Sequence, residues 1–419
     1  MATVETIPKL VPRPGVHAAL RRFPWPYQAM LAICSDLDET PDWRVYWEQM
    51  RFLNTRQMTS MGEGVGLEVG NSIYFDISPG QFAYWNTDDA GREMVRALIA
   101  SGHIDCLHSY GDLATSRTHA GRALEELSRH GLSLRVWVDH ATAPTNFGQD
   151  IMRGHGDEPG HPAYHADLTI DHGIRYVWRG RVTSVIGQDQ PVSWGGLWDG
   201  AQPFASTLTL AKEASKYLLG RAGGQKYLTH AQNRIGVPAQ LRDGREVIEF
   251  LRCNPHPAGL DRGDTGDSIS EVLTRRFLDR LVERQGISIL YAHLGKLRER
   301  QFNQAAVEAF RQLSQYHHRK EILVTTTRRL LDYGQFAQSA TVSWSWGSNG
   351  LVIDVAGGVE GRTETGPAAE SQAFTLELSE SSVAELRVEG RPVSFVKTQD
   401  PTGKHLVSVP WNPRPFPDL

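Results

Sequence analysis

A parallel α/β barrel or sheet followed by a small all-β domain is the fold class that this 419-residue sequence predicts. Three observations predict it. Between residues 28 and 337, short apolar runs alternate with amphipathic stretches that stop at glycine, the repeat of a βα unit. Several of those runs end in acids or histidines, as expected where a site gathers at the carboxyl ends of parallel strands. From residue 338 to 419 the chain changes to short, often alternating runs separated by turn residues such as Gly347, Gly350, Gly358, Gly390 and Pro401. That pattern predicts a small β-sandwich.

In chain order, residues 1–27 read as an irregular, proline-rich arm. Leu31-Ala-Ile33 then reads as a buried strand that runs into Asp36 and Asp38. A helical pattern follows Trp43, with Tyr46, Met50 and Leu53 on one side. Ser72–Ile77 alternates and reads as a strand. Asp88 to Ser101 is a helix, with Thr87 or Asp88 as cap, a Met94, Val95, Leu98, Ile99 stripe and a stop at Gly102. Ile104–Leu107 is the next strand, Thr118–His130 a helix, and Leu132–Val138 a strand that ends in Asp139 and His140. Tyr164–His172 reads as helical and Ile174–Trp178 as a strand. Residues 179–245 carry no pattern beyond loops and hairpins. Val247–Leu251 is a strand that ends in Arg252. Ser268-Ile-Ser-Glu271 fits a capping box for the helix through Leu273, Phe277 and Leu281. Ile287–Tyr291 is a strand followed by His293, and a helix, the strand Ile322–Thr325 and a short helix complete the pattern.

Composition narrows the function. Apolar residues make up 40% of the chain and charged residues 22%, as in ordinary globular proteins. A net charge of −4 gives no general attraction for nucleic acid or anionic membranes. No apolar run reaches membrane-spanning length, and residues 1–26 lack the apolar centre of a signal peptide. A cytoplasmic location is the expectation. Cys34, Cys106 and Cys253 are expected as reduced, buried thiols.

Two stretches carry the chemistry. Asp36 and Asp38 are two apart on a strand end and so share a face. Paired carboxylates there need a cation, or one must hold a proton. The alternative is that Asp38 and Thr40 cap the following helix. His108 and Asp112 are four apart, so one helical turn would bring them together as ligands for zinc or a similar metal.

Ser35-Asp-Leu-Asp38, His108-Ser-Tyr-Gly-Asp112 and Tyr291-Ala-His-Leu-Gly295 together resemble the motifs of the polysaccharide deacetylases, the NodB-homology family. They occur in the family's order, each at a predicted strand end, and the resemblance covers residues 28–335. It implies a distorted (β/α)7 barrel that removes acetyl groups, usually from N-acetylated sugars. It implies a divalent metal, zinc first and cobalt, nickel, iron or manganese otherwise. Asp36 would be the general base, Asp38 and His108 metal ligands, and His293 the general acid. Asp112 stands where the family more often has a second histidine, a set that would favour harder metals. His140 is the other candidate for that third position.

No Arg-x-Pro follows the third strand. Asp139-His140-Ala-Thr-Ala-Pro-Thr-Asn146 stands there instead, and Arg252 is a source of positive charge from another strand. Tyr110, Asp139, His140, Asn146 and Arg252 are the candidate substrate contacts, and Trp178, Trp194 and Trp198 can stack on sugars. A backbone N–H between Ser109 and Gly111 is the expected oxyanion donor. The expected partner is a carbohydrate, not a nucleic acid. Two other classes stay open: a glycoside hydrolase that uses Asp36 and Asp38, and a carbohydrate-binding protein without catalysis.

Overall fold

The structure, a computed structural model, describes residues 17–260, 262–357, 373–379 and 381–419. The chain falls into two compact units, Gln28–Leu331 with Arg414–Leu419, and Met1–Tyr27 with Asp332–Pro413.

The larger unit holds two sheets. The first is wholly parallel, in the order Ile322–Val324, Ala29–Ser35, Ile287–Ala292, Arg252–Cys253, Val182–Thr183. The second runs Gly236–Gln240, Glu246–Phe250, Tyr176–Trp178, Val136–Val138, Ile104–His108, Asn71–Ile73, and is parallel except for the Gly236–Gln240/Glu246–Phe250 hairpin. Leu251 alone separates the Glu246–Phe250 strand from Arg252–Cys253, so one stretch of chain passes from sheet to sheet. Among the described residues the two ladders do not join into a closed barrel.

Apolar content makes Ala29–Ser35 an interior strand of its sheet. Every residue of Ala29–Ser35 is buried, with a parallel neighbour on each side. Removing Leu31 and Ile33 from water contributes roughly 1.5–3 kcal/mol each. Register then positions the site. Ala292 lies opposite Ser35, so Asp36 and His293 leave their strands side by side, and the Asp36 N–H donates to Ala292 O at 2.8 Å. His108 lies opposite Val138, which puts His140 just beyond it on the neighbouring strand.

The helices follow their caps. Asp42, rather than Asp38 or Thr40, caps Trp43–Asn54, accepting from the N–H groups of Arg44 and Val45. Asp38 is thereby left for other work. Asp88 caps Asp89–Ser101, and Gly102, at φ +81°, ends it in the left-handed conformation that glycine adopts without penalty. Ser268–Glu271 does not open a helix: Ile269–Glu271 is one 3-10 turn, and Thr274 caps the helix Arg275–Glu283. Residues 179–245 contain a 19-residue helix, Pro203–Arg221, where only loops and hairpins were expected. It buries Ser206, Thr209, Glu213 and Gly220 and leaves Phe204, Leu208 and Leu218 exposed, so no apolar stripe marks its inner face. No described helix is long and apolar enough to cross a membrane.

The smaller unit has two four-stranded sheets. One pairs Ala18–Leu20, Phe374–Leu378, His405–Val409 and Val396–Gln399 antiparallel; the other orders Thr341–Gly347, Gly350–Ala356, Val383–Val388 and Arg391–Pro392. Their alternating residues Leu351, Ile353, Val355, Phe374, Leu376 and Val407 share one core. The proline-rich segment read as an arm therefore contributes a strand: three consecutive residues, Ala18, Ala19 and Leu20, complete the edge of the first sheet. Most of residues 1–27, and Gly358 among the expected turn glycines, lie outside the described residues.

Candidate metal centre

Four strand ends of the larger unit converge on a cluster of acids and histidines. Asp36 and Asp38 follow Ala29–Ser35, His108 closes Ile104–His108, His140 follows Val136–Val138 and His293 follows Ile287–Ala292. Arg252 begins its own short strand.

Asp36 is buried, and its carboxylate is gripped by Arg252 through Nη1–Oδ2 at 2.7 Å and Nη2–Oδ1 at 2.9 Å. The guanidinium is itself buried, 3.9 Å above the ring of Trp178. Burial pushes the Asp36 carboxyl up, but the charge of Arg252, helped by His108 and His293, outweighs it and holds the group below the ordinary carboxylate range. Asp36 is therefore an anion kept in place by a fixed cation. Trp178 is the floor under that cation rather than an open sugar platform. Trp198 is partly exposed and Trp194 half-buried.

Asp38, His108 and His140 each present a ligand atom within 4.8 Å of the other two, and Asp36, Asp38 and His293 form a second such group. His140 Nε2 donates to Asp38 Oδ1 at 2.5 Å. Its Nδ1 lies 2.9 Å from Oδ1 of Asp112. Burial lowers the proton affinity of His140, but Asp112 and Asp38 on its two sides raise its pKa to about 10. Asp38 is lowered: burial opposes, and its bond to His140 with the positive charges of His108, His140 and His293 prevails. His108 is pushed down to about 4 by burial, so it is a neutral imidazole, the form that ligates metals.

The donor set fits a divalent ion. Two imidazoles and a carboxylate form a set that suits zinc and related metals, the ion taking the place of the proton that His140 Nε2 donates to Asp38. Asp38 Oδ2 and His108 Nδ1 are buried without a hydrogen-bond partner among the described residues. Such atoms are costly to leave unpaired, and a coordinated ion, directly or through its ligands, satisfies them.

Asp112, expected as the third ligand, lies outside both groups. His108 ends its strand, and Ser109 (φ +52°) and Gly111 (φ +96°) then turn the chain sharply, so no helical turn relates His108 to Asp112. Asp112 keeps a half-exposed side chain and faces the far nitrogen of His140. His140, the alternative, is the residue that joins the cluster.

Three expected substrate contacts bond within the protein, Asp139 through Oδ1 alone, with its buried Oδ2 unpaired among the described residues. Tyr110 is buried against Trp137 and His165, and its hydroxyl bonds Thr169 at 2.7 Å. Asp139 accepts from Trp137 Nε1 at 2.7 Å and Phe147 N at 2.9 Å, and burial pushes it up to about 7. Asn146 clamps the main chain of His140, accepting from its N–H and donating to its C=O, both at 2.9 Å. Asp139 and Asn146 build the loop that presents His140. Strand alternation separates Asp139 from His140, since adjacent side chains point to opposite faces.

Two participants were not singled out in the sequence. Asp264 Oδ2 accepts from His293 Nδ1 at 2.9 Å, and its backbone carbonyl accepts the His293 N–H. That leaves His293 Nε2 facing Tyr291 Oη at 3.2 Å, with Asp36 Oδ2 and Asp38 Oδ2 each at 3.8 Å. The Gly/Asp-rich loop before Ser268 was the one available signal. Tyr74, just beyond Asn71–Ile73, has its ring centre 5.6 Å from those of both His108 and His140. Its position at a strand end was the available signal.

Compared with protein-family models and with curated proteins, the chain matches none.

Proposed function

We propose that the larger unit is a divalent-metal-dependent deacetylase acting on an N-acetylated carbohydrate, built on a distorted (β/α)7 barrel of the polysaccharide-deacetylase type. The observation that carries the reading is the juxtaposition of Asp38, His108 and His140 with an Arg252-bound Asp36 and an Asp264-bound His293. An anion and an oriented imidazole thus stand beside a set of metal-capable donors. Zinc is the first candidate, followed by cobalt, nickel, iron and manganese.

Asp38, His108 and His140 would hold the ion, and Asp112 would orient His140 from its far nitrogen. Bound there, the ion would supply Lewis-acid chemistry, polarising the acetyl carbonyl and acidifying water. Asp36 takes the proton from the attacking water; its two bonds to Arg252 fix its direction and keep it ionised. His293, aimed by Asp264, delivers a proton to the amine nitrogen as the C–N bond breaks. An amine leaves readily only when protonated, so base and acid have separate tasks. Arg252 acts on Asp36 rather than on substrate.

The test is acetate release from N-acetylated oligosaccharides by the metal-loaded protein, compared with Asp36→Asn. The expected result is turnover in the parent, and a drop of at least about 10²-fold in the variant with its metal retained. Turnover that persists unchanged in Asp36→Asn would overturn the assigned base. No acetate release from any acetylated sugar would overturn the substrate class.

A further inference from the structure

We propose that the side-chain hydroxyl of Tyr74 is a hydrogen-bond donor to the acyl oxygen, so that the transition-state charge is met by a side chain no motif carries. The inference rests on the deacetylase reading and deepens it.

Tyr74 is fully buried, and its backbone carbonyl is held by the N–H of Tyr84 at 3.1 Å. Its ring meets those of His108 and His140 at 35° and 40°. Its hydroxyl has no hydrogen-bond partner among the described residues. That sets it apart from other buried tyrosines of the chain. Tyr46 donates to Ser72 O at 3.3 Å, Tyr84 to Glu126 at 2.7 Å and Tyr333 to Arg22 O at 3.1 Å, and Tyr110 bonds Thr169.

A buried O–H without an acceptor is unfavourable unless something else supplies one. Asp38 Oδ2 and His108 Nδ1, in the same cluster, are also unpaired. The ion proposed above meets Asp38 Oδ2 and His108, so the Tyr74 hydroxyl is the donor left needing an acceptor group. An acyl oxygen is a group of that kind. As water adds to the carbonyl carbon, a C–O bond forms and the π pair moves to the acyl oxygen. The Tyr74 hydroxyl donates to that oxygen and keeps its proton throughout. A preorganised donor of this kind gains strength as the charge develops. The backbone N–H groups of residues 109–111 are the expected donors; in that turn the carbonyls of Gly111 and Tyr110 accept from Ala114 N and Asp76 N, and Tyr74 adds a side-chain donor to the same strand-end cluster.

The test is Tyr74→Phe, which keeps the ring and removes only the hydroxyl. Protein loaded with cobalt(II) is titrated with acetate and followed by visible absorption, a readout independent of turnover. The expected result is unchanged cobalt affinity with acetate bound about tenfold more weakly. On a turned-over substrate, kcat should fall about 10²-fold with KM little altered. Equal acetate affinity in both proteins, each with cobalt bound, overturns the role of Tyr74 and leaves the metal reading standing. Loss of cobalt only in Tyr74→Phe makes the hydroxyl part of the metal's own shell and overturns the proposal. No cobalt in either protein overturns the metal reading and this proposal with it.

Discussion

Replacing Arg252 by methionine should destabilise the larger unit by about 3–5 kcal/mol. The magnitude follows from burial. Arg252 is fully buried, the Asp36 side chain is 3% exposed, and two bonds of 2.7 and 2.9 Å join them. Both charges have left bulk water, so removing the cation leaves a buried anion without the two hydrogen bonds and the adjacent charge that hold it. Asp36→Asn should recover part of the loss when combined with Arg252→Met. Urea unfolding of the parent, both single variants and the double variant gives the cycle, with tryptophan emission as probe because Trp178 lies directly under the guanidinium. We expect a coupling of at least about 2 kcal/mol. The same substitution lets burial dominate the Asp36 carboxyl, so the acidic limb of the activity profile should move to higher pH. A cost under about 1 kcal/mol, or additivity within about 0.5 kcal/mol, would refute the argument that this pair fixes the base.

Three further outcomes are expected. Asp112→Asn should weaken metal binding about 10–100-fold without abolishing it, because Asp112 touches His140 rather than the ion; a metal titration checks this. Gly111→Ala should cost more than about 2 kcal/mol in a denaturation experiment, since a Cβ there would sit 1.9 Å from Asp76 O at a φ of +96°. Stability should fall on acidification from about pH 6.5 towards 4. Burial holds His103, His108, His165, His230 and His317 near 4, so their contribution is complete above the unfolded value and is lost as pH falls. Each adds a slope of up to about 1.4 kcal/mol per pH unit, and a series of melting curves reads the sum. Asp105, pushed up to about 6, and Asp139, to about 7, act in the opposite sense, contributing stability that fades as pH rises through those values.

Much of the larger unit was readable because its strands and helices bury conventional apolar faces. Leu31-Ala-Ile33, the Met94 to Ile99 stripe and the Gly102 stop are local signals, and local physics decides them. Asp36, Asp38, His108 and His293 were visible because strand ends in parallel sheets collect function. Asp112 was misplaced because a four-residue spacing implies contact only if the backbone is helical, and the Ser109 and Gly111 turns prevent that. For Tyr110, Asp139 and Asn146 the sequence shows polar groups without their partners, and the fold supplies those partners in Thr169, Trp137 and the His140 main chain. Pro203–Arg221 was missed because its buried face is polar. Asp264 reaches His293 from 29 residues upstream, a pairing that only the fold creates.

The central claim is that Asp38, His108 and His140 hold one divalent ion. Its most direct test is the metal content of the purified protein, by elemental mass spectrometry, for the parent and for Asp38→Ala, His108→Ala, His140→Ala and Asp112→Ala. The account predicts about one zinc-class ion per chain in the parent, its loss in the first three variants and its weakened retention in the fourth. No ion in the parent after incubation with zinc, cobalt, nickel, iron or manganese, or an ion that survives all three ligand substitutions, would contradict it.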